Sequence, residues 1–216
     1  MTTNYFTIKD NCRKGLLKYL EKAFSAVPEF HDPAMLDIGS GTGVPTLWLA
    51  EKFSGSITAI DIDNSALDWL QRKAGSKNLS ERLTTLNVSF FDFKSDPHKF
   101  DIILAEGFLN VVGFETGFPS VIRLLKPTGY LIIHDEFRDH EKKLEFIRNN
   151  NCSVADSFYL DENIWWNDYY KKLESEINKR TDSDLLKLFE SDIREIEYYK
   201  SDPSPFRSIY YTIKKQ

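Results

Sequence analysis

Three glycines stand at alternate positions, 39, 41 and 43, in the stretch MLDIGSGTGVPTLWLA that begins at Met35. Glycine inside a regular element costs roughly 0.5–1 kcal/mol relative to alanine, so such a cluster marks a backbone doing something that side chains would prevent. A loop of this kind after an apolar strand cradles a ligand by its backbone. Counted from Gly39 the sequence reads G-S-G-T-G-V, and from Gly41 it reads G-T-G-V-P-T. Neither frame has the final glycine of the G-x-G-x-x-G dinucleotide fingerprint, and the Lys-Ser/Thr pair of a triphosphate loop is absent as well. Asp61 closes the next apolar stretch, GSITAIDID, where a carboxylate can accept hydrogen bonds from both hydroxyls of a ribose. Asp92 in FFDF is placed to take the exocyclic amine of an adenine, with Phe91, Phe93 or Ile62 walling the ring.

Positioning these residues requires alternating strands and helices. Apolar residues at helical spacing predict a first helix over 10–27, ending near Pro28. A strand at 34–38 leads into the glycine loop and a helix to about 53, with Pro45 in its first turn. GSITAIDID reads as the second strand and NSALDWLQRKAG as a helix with Asn64 as N-cap. LTTLNVSFFDF, FDIILAEG and YLIIHDEF read as the third, fourth and fifth strands, with a helix before Lys126 and Pro127. Near-continuous apolar strands such as Ile102-Ile103-Leu104 imply a parallel sheet covered by helices on both faces. In such α/β sheets ligands sit at the carboxyl ends of the strands, where Asp61 and the other candidates fall.

The chain's 216 residues are read as one domain, 1–216, with an N-terminal helical segment over 1–30. A hydrophobic content of 41% and a charged content of 28% are ordinary for a globular protein. A net charge of −5 disfavours a nucleic-acid partner, since affinity for phosphate backbones comes from clustered Lys and Arg. No apolar run is long enough to span a bilayer, and the start MTTNYFTIKDNCRKG lacks a signal peptide's apolar stretch, so a cytoplasmic location is expected. Cys12 and Cys152 show no C-x-x-C spacing and are read as reduced, buried structural residues.

Together LDIGSGTG, AIDID, FFDF, FDIILAEG and LLKPTGYLIIHDE resemble the S-adenosylmethionine-dependent methyltransferases of the Rossmann-like class, over about 30–160. The stretches AEGFLNVVGFETGFPSVIRLLKPTGYL and FYLDENIWWNDYYKKLE look like a bacterial and archaeal small-molecule subgroup of that class. The resemblance implies a doubly wound, mostly parallel seven-stranded sheet whose last strand, here FRSIYYTIKK from Phe206, is antiparallel. It implies Asp37 and the loop of Gly39, Ser40, Gly41 and Gly43 for the methionine portion of S-adenosylmethionine, Asp61 for its ribose and Asp92 for its adenine, with Ile62 and Phe93 alongside. Where the subgroup carries a Pro-Gly-Gly turn before the fifth strand, this chain has Pro127-Thr128-Gly129.

Methyl transfer from a sulfonium needs positioning more than covalent help, and a general base only where the acceptor loses its proton early. Glu106, His134, Asp135 and Glu136 fall at strand ends. Glu106 is assigned to the cofactor near the sulfonium, and His134 is the candidate base because its ordinary pKa is near 6.5. No metal is expected. Residues 161–200 interrupt a simple strand-to-strand connection and read as a helical lid with Trp165, Trp166 and Tyr169 on the acceptor, the alternative being rings that only anchor the helices. The expected function is methyl transfer to a small molecule, with no nucleic-acid or membrane partner. The alternatives are a non-catalytic cofactor-binding protein, a protein or nucleic-acid methyltransferase, and a nicotinamide oxidoreductase. Ala105-Glu106-Gly107-Phe108 stands where amide-nitrogen methyltransferases carry Asn/Asp-Pro-Pro-aromatic.

Overall fold

In the computed structural model, which describes residues 2–216, the apolar runs form one seven-stranded sheet. Its strands are β1 (Met35–Ile38), β2 (Ile57–Asp61), β3 (Leu83–Asn87), β4 (Phe100–Glu106), β5 (Leu125–Glu136), β6 (Cys152–Leu160) and β7 (Ser208–Lys215), in the order β3-β2-β1-β4-β5-β7-β6. The pairs β1–β2, β2–β3, β1–β4 and β4–β5 are parallel, while β7 runs antiparallel to both β5 and β6. The doubly wound, mostly parallel α/β sheet with an antiparallel last strand is therefore as the motifs imply. Strand order reverses between β1 and β4, which opens a crevice at their carboxyl ends.

Alternation along each strand divides the core in two. On one face Ile103, Ala105, Leu131, Ile133 and Tyr211 pack under α5 (Leu109–Val112), α6 (Phe114–Leu124) and α7 (His140–Asn149). On the other, Ile102, Leu104, Ile132 and Tyr210 pack against α2 (Leu17–Phe24), α3 (Val44–Lys52) and α4 (Asn64–Ser76). A third apolar cluster lies apart from the sheet. It joins Cys12 of α1 (Thr2–Arg13) to Tyr170, Leu173, Phe189 and Tyr199 of the segment before β7. Both cysteines are buried free thiols, as their spacing suggests.

Several boundaries differ from the sequence reading. The first helix begins at Thr2, passes through one 3₁₀ turn at 14–16 and ends at Phe24, because Tyr5, Phe6 and Ile8 pack on the cover and on α4 rather than on the sheet. The N-cap of α4 is Asp63, whose carboxylate accepts from Ser65 N and Ala66 N at 2.9 and 3.2 Å; Asn64 is the first helical residue. β3 stops at Asn87, so FFDF is a turn, held by Asp92 N donating to Ser89 O at 3.1 Å. The last strand begins at Ser208 after a 3₁₀ turn at 204–206. β5 starts at Leu125, with Thr128 at φ +63°, a left-handed conformation that a β-branched residue adopts only under strain. No helix among the described residues is long and apolar enough to cross a membrane.

Candidate active site

The glycine loop closes over the end of β2. Gly39 N and Ser40 N both donate to Ile60 O, at 2.9 and 3.1 Å. Asp61 faces this loop: its Oδ2 accepts from Gly41 N at 2.7 Å and its Oδ1 from Asp63 N at 2.8 Å. Each oxygen keeps a lone pair for a further donor. Gly39 and Gly41 have φ of +72° and +51°, and a Cβ built on either would meet no neighbouring atom of the described residues within 4 Å. Their backbone therefore borders open space. Gly43 differs, since a Cβ there would lie 2.2 Å from Leu70 Cδ1, so this glycine lets α4 approach the loop. Beneath the loop, Asp37 is buried and accepts from Thr46 Oγ1 at 2.5 Å. Burial pushes its carboxyl up to about 7, and the nearby Glu106 adds to the shift.

A second group comes from strand register. Glu106 of β4 pairs with His134 of β5, His134 pairs with Tyr210 of β7, and Tyr210 pairs with Phe158 of β6. Residues in register share a face, so the four side chains form one row across the sheet. His134 stacks on Tyr210 with ring centroids 4.3 Å apart, and Trp165 covers its other face at 5.7 Å. The hydroxyl of Tyr210 donates to Glu106 Oε1, and Arg13 Nη2 reaches Glu106 Oε2 at 3.4 Å. His134 Nε2 lies 2.9 Å from Ser208 Oγ. Burial lowers the His134 pKa to about 4, outweighing the opposing pull of Glu106, so the imidazole is neutral at neutral pH. Of the other strand-end acids, Asp135 is paired with Lys143 at 2.8 Å and Glu136 with Arg138 at 3.1 Å.

Above this row the chain builds a roof from α1 and from residues 162–206. The roof's helices are α8 (Glu162–Trp165), α9 (Lys171–Asn178), α10 (Ser183–Leu188) and α11 (Glu190–Ser201), with one π-helical turn at Trp166–Tyr170. Asp10 of α1 binds the roof down: it accepts from Thr42 Oγ1 of the glycine loop at 2.6 Å, from Trp69 Nε1 at 2.9 Å and from Lys73 Nζ at 2.5 Å. Between roof and strand ends lies a cavity of about 1200 Å³, lined among others by Asp37, Gly41, Glu106, His134, Trp165 and Tyr169.

Not every expected residue lines this cavity. Trp166 turns into the roof, where it stacks on Tyr199 at 5.9 Å with Lys200 over its ring, because neighbouring helical residues point about 100° apart, while Trp165 and Tyr169, four apart, share the face that lines the cavity. Asp61, Ile62, Asp92 and Phe93 stand outside the lining as well. Ile62 is 77% exposed and Phe91 54% exposed, two large apolar side chains left in water beside Asp61 and the turn of Asp92. The hydroxyl of Ser89 donates to Asp92 Oδ2 at 3.0 Å.

Residues 35–129 match the family described as the methyltransferase domain. This segment is similar to a methyltransferase domain. The match agrees with the S-adenosylmethionine-dependent class that the five motifs resemble. Its curated relatives include an uncharacterised protein of Haemophilus influenzae, 27% identical over 54% of this chain and 49% of the relative. The chain spans half or less of the length of the curated relatives it matches. Among solved structures, the [4+2]-cyclase SpnF is similar at a TM-score of 0.77 with 17% identity, covering 92% of this chain and 80% of that one. A S-adenosylmethionine-dependent methyltransferase from Thiobacillus denitrificans, in complex with S-adenosyl-L-homocysteine, is similar at 0.68 with 15% identity, covering 91% and 89%.

S-adenosylmethionine is the cofactor of this class, and the methyltransferase domain has room and polar groups for it. The loop backbone at Gly39 and Gly41 faces space that none of the described residues fills. Ser40 Oγ, buried at 7% exposure, has no hydrogen-bond partner among the described residues. Such an orphan costs about 1–3 kcal/mol unless a ligand or water satisfies it. Sequence reasoning missed Asp10, Arg13, Ser208 and Tyr210. Nothing local marks Tyr210, whose part depends on the β5–β7 register. The signal for Asp10 is weak, a lone acid amid the half-apolar pattern of α1.

Proposed function

We propose that the chain transfers the methyl group of S-adenosylmethionine to a small-molecule acceptor held under the helical roof. The observation that carries this reading is the roofed cavity of about 1200 Å³ between the glycine loop and the strand-end row. Pockets for small ligands run to about 300–1000 Å³, so the methionine end of the cofactor and a compact acceptor together suit such a volume. Access under a roof pinned by Asp10 favours a small molecule over a polymer.

When bound, S-adenosylmethionine supplies an electrophilic methyl carbon on a sulfonium. In this reading the loop of Gly39, Ser40, Gly41 and Gly43, with Asp37, holds the methionine portion. Asp61 takes the ribose with its remaining lone pairs, and Ile62, Asp92 and Phe93 take the adenine. The exposed side chain of Ile62 supports this, since an apolar residue in water at a strand end gains from covering a ring. Glu106, fixed by Tyr210 and Arg13, stands nearest the sulfonium. His134 is neutral and can accept a proton, but its lowered pKa makes it a weak base. Positioning therefore carries the rate, with near-attack alignment supplying about 7–11 kcal/mol. Trp165 and Tyr169 exclude water from the reacting atoms. Incubation with methyl-labelled S-adenosylmethionine and separate small-metabolite, protein and RNA fractions tests the reading. Label in the metabolite fraction is expected. Label only in protein or RNA contradicts it, and cofactor binding without any transfer favours a non-catalytic binding protein.

A further inference from the structure

The proposed reaction leaves the acceptor's chemical class open, and the side chains around the row narrow it. Arg13 ends α1 beneath the roof, its side chain 38% exposed to the cavity that it lines. Among the described residues its guanidinium makes one hydrogen bond, the long contact with Glu106 Oε2 at 3.4 Å. The planar fork thus retains unused donors. Tyr169, only 6% exposed, lines the same cavity, and its hydroxyl makes no hydrogen bond with the described residues. Two donors with spare capacity therefore open onto one cavity.

A cationic acceptor finds less. Trp165 has His134 against one face and Tyr170 against the other, at 5.7 and 5.8 Å. Tyr210 is covered by His134 and by Phe158 at 5.3 Å. With both faces of each ring taken, these aromatics cannot form a cage for an ammonium group. Of the acids beside Arg13 and on α1, Glu106 is engaged by Tyr210 and Arg13, and Asp10 by Thr42, Trp69 and Lys73.

Resting on the methyltransferase reading, we infer that the acceptor carries a small oxyanion, a carboxylate or phosphate, that binds the Arg13 fork and the Tyr169 hydroxyl. Its charge compensates Arg13, whose tie to Glu106 is long, and its oxygens satisfy donors that the protein leaves unspent. The acceptor's anionic end is then fixed beside His134, which directs the rest of the molecule toward the glycine loop.

The test uses benzoate, benzamide and benzylamine as probes, titrated calorimetrically into the full chain with and without saturating S-adenosylhomocysteine. Benzoate is expected to bind at least about tenfold tighter than either neutral or cationic isostere, since charge-assisted bonds are the strong ones. Arg13→Gln should weaken benzoate by about tenfold or more, and Tyr169→Phe by about threefold or more, in the cofactor-loaded protein. Should Arg13→Gln fail to fold, the Tyr169→Phe result decides alone. Tighter binding of benzylamine, or benzoate binding unchanged in a folded variant, overturns the inference. S-adenosylhomocysteine also carries a carboxylate, so 5′-methylthioadenosine, which lacks it, is titrated in parallel. If Arg13→Gln weakens S-adenosylhomocysteine alone and spares both benzoate and 5′-methylthioadenosine, the arginine serves the cofactor and the inference fails. Absence of S-adenosylhomocysteine binding counts against the proposed function, while the cofactor-free comparison of the three probes still decides the oxyanion.

Discussion

Replacing Asp37 by Asn should stabilise the protein, and by more as the pH rises. Asp37 is 3% exposed at the end of β1 and accepts a single side-chain hydrogen bond, from Thr46. Burial, with Glu106 nearby, raises its pKa from the ordinary 3.8 to about 7. Between those two values the folded state binds more protons than the unfolded state, so stability falls as pH rises through this window. The loss is complete above the folded pKa. Each pKa unit corresponds to about 1.4 kcal/mol, so the folded protein carries a penalty of about 4 kcal/mol at pH 8 but only about 2 kcal/mol at pH 5. Asn keeps an oxygen for the Thr46 hydroxyl and removes the charge. The difference in unfolding free energy between Asp37→Asn and the parent should therefore grow in the variant's favour by about 2–3 kcal/mol from pH 5 to pH 8. Urea denaturation at a series of pH values reads this directly. A difference that stays constant across that range refutes the account of Asp37 as a carboxylate held in an unfavourable place for a ligand.

His134 acts with the opposite sign. Its pKa is lowered to about 4, so the unfolded state binds the extra proton as pH falls below 6.5, and stability drops on acidification. His134→Gln should therefore unfold less readily than the parent as pH is taken from 6.5 to 4, and parallel urea profiles would speak against a buried neutral imidazole. Thr128→Gly places glycine where φ is +63°, and relief of left-handed strain of about 1–2 kcal/mol less the entropy of glycine predicts a net gain of about 0.5–1 kcal/mol by urea denaturation. A loss of stability would mean that Thr128 is not strained. Trp165→Ala uncovers His134 and should cut turnover by about tenfold or more while changing S-adenosylhomocysteine affinity by less than about threefold; equal losses in both would place Trp165 on the cofactor instead.

The sheet was legible because its strands are short, apolar and punctuated, and because the glycines and Asp61 fall where a parallel sheet puts its ligands. Local signals misjudged what tertiary packing decides. Helix α1 was truncated in the sequence reading because Tyr5, Phe6 and Ile8 bury against the roof and α4, partners invisible without the fold. FFDF has strand composition yet turns, its backbone bonded within 89–93. Trp165 and Trp166 are adjacent and chemically alike, and only their directions on the helix, about 100° apart, separate a ring on His134 from a ring inside the roof. The Glu106–His134–Tyr210 row depends on strand register, and its β5–β7 step joins residues more than seventy positions apart, so no spacing in the sequence announces it.

The central claim is that the glycine loop and Asp61 hold an S-adenosyl cofactor at the carboxyl ends of the strands. Calorimetric titration of S-adenosylhomocysteine into the parent chain and into Asp61→Ala tests it most directly. The account predicts one site per chain in the parent and a loss of affinity of about tenfold or more in the variant, from one or two charge-assisted hydrogen bonds of about 1.5–3 kcal/mol each. No heat of binding in the parent, or equal affinity in a folded variant, would contradict it.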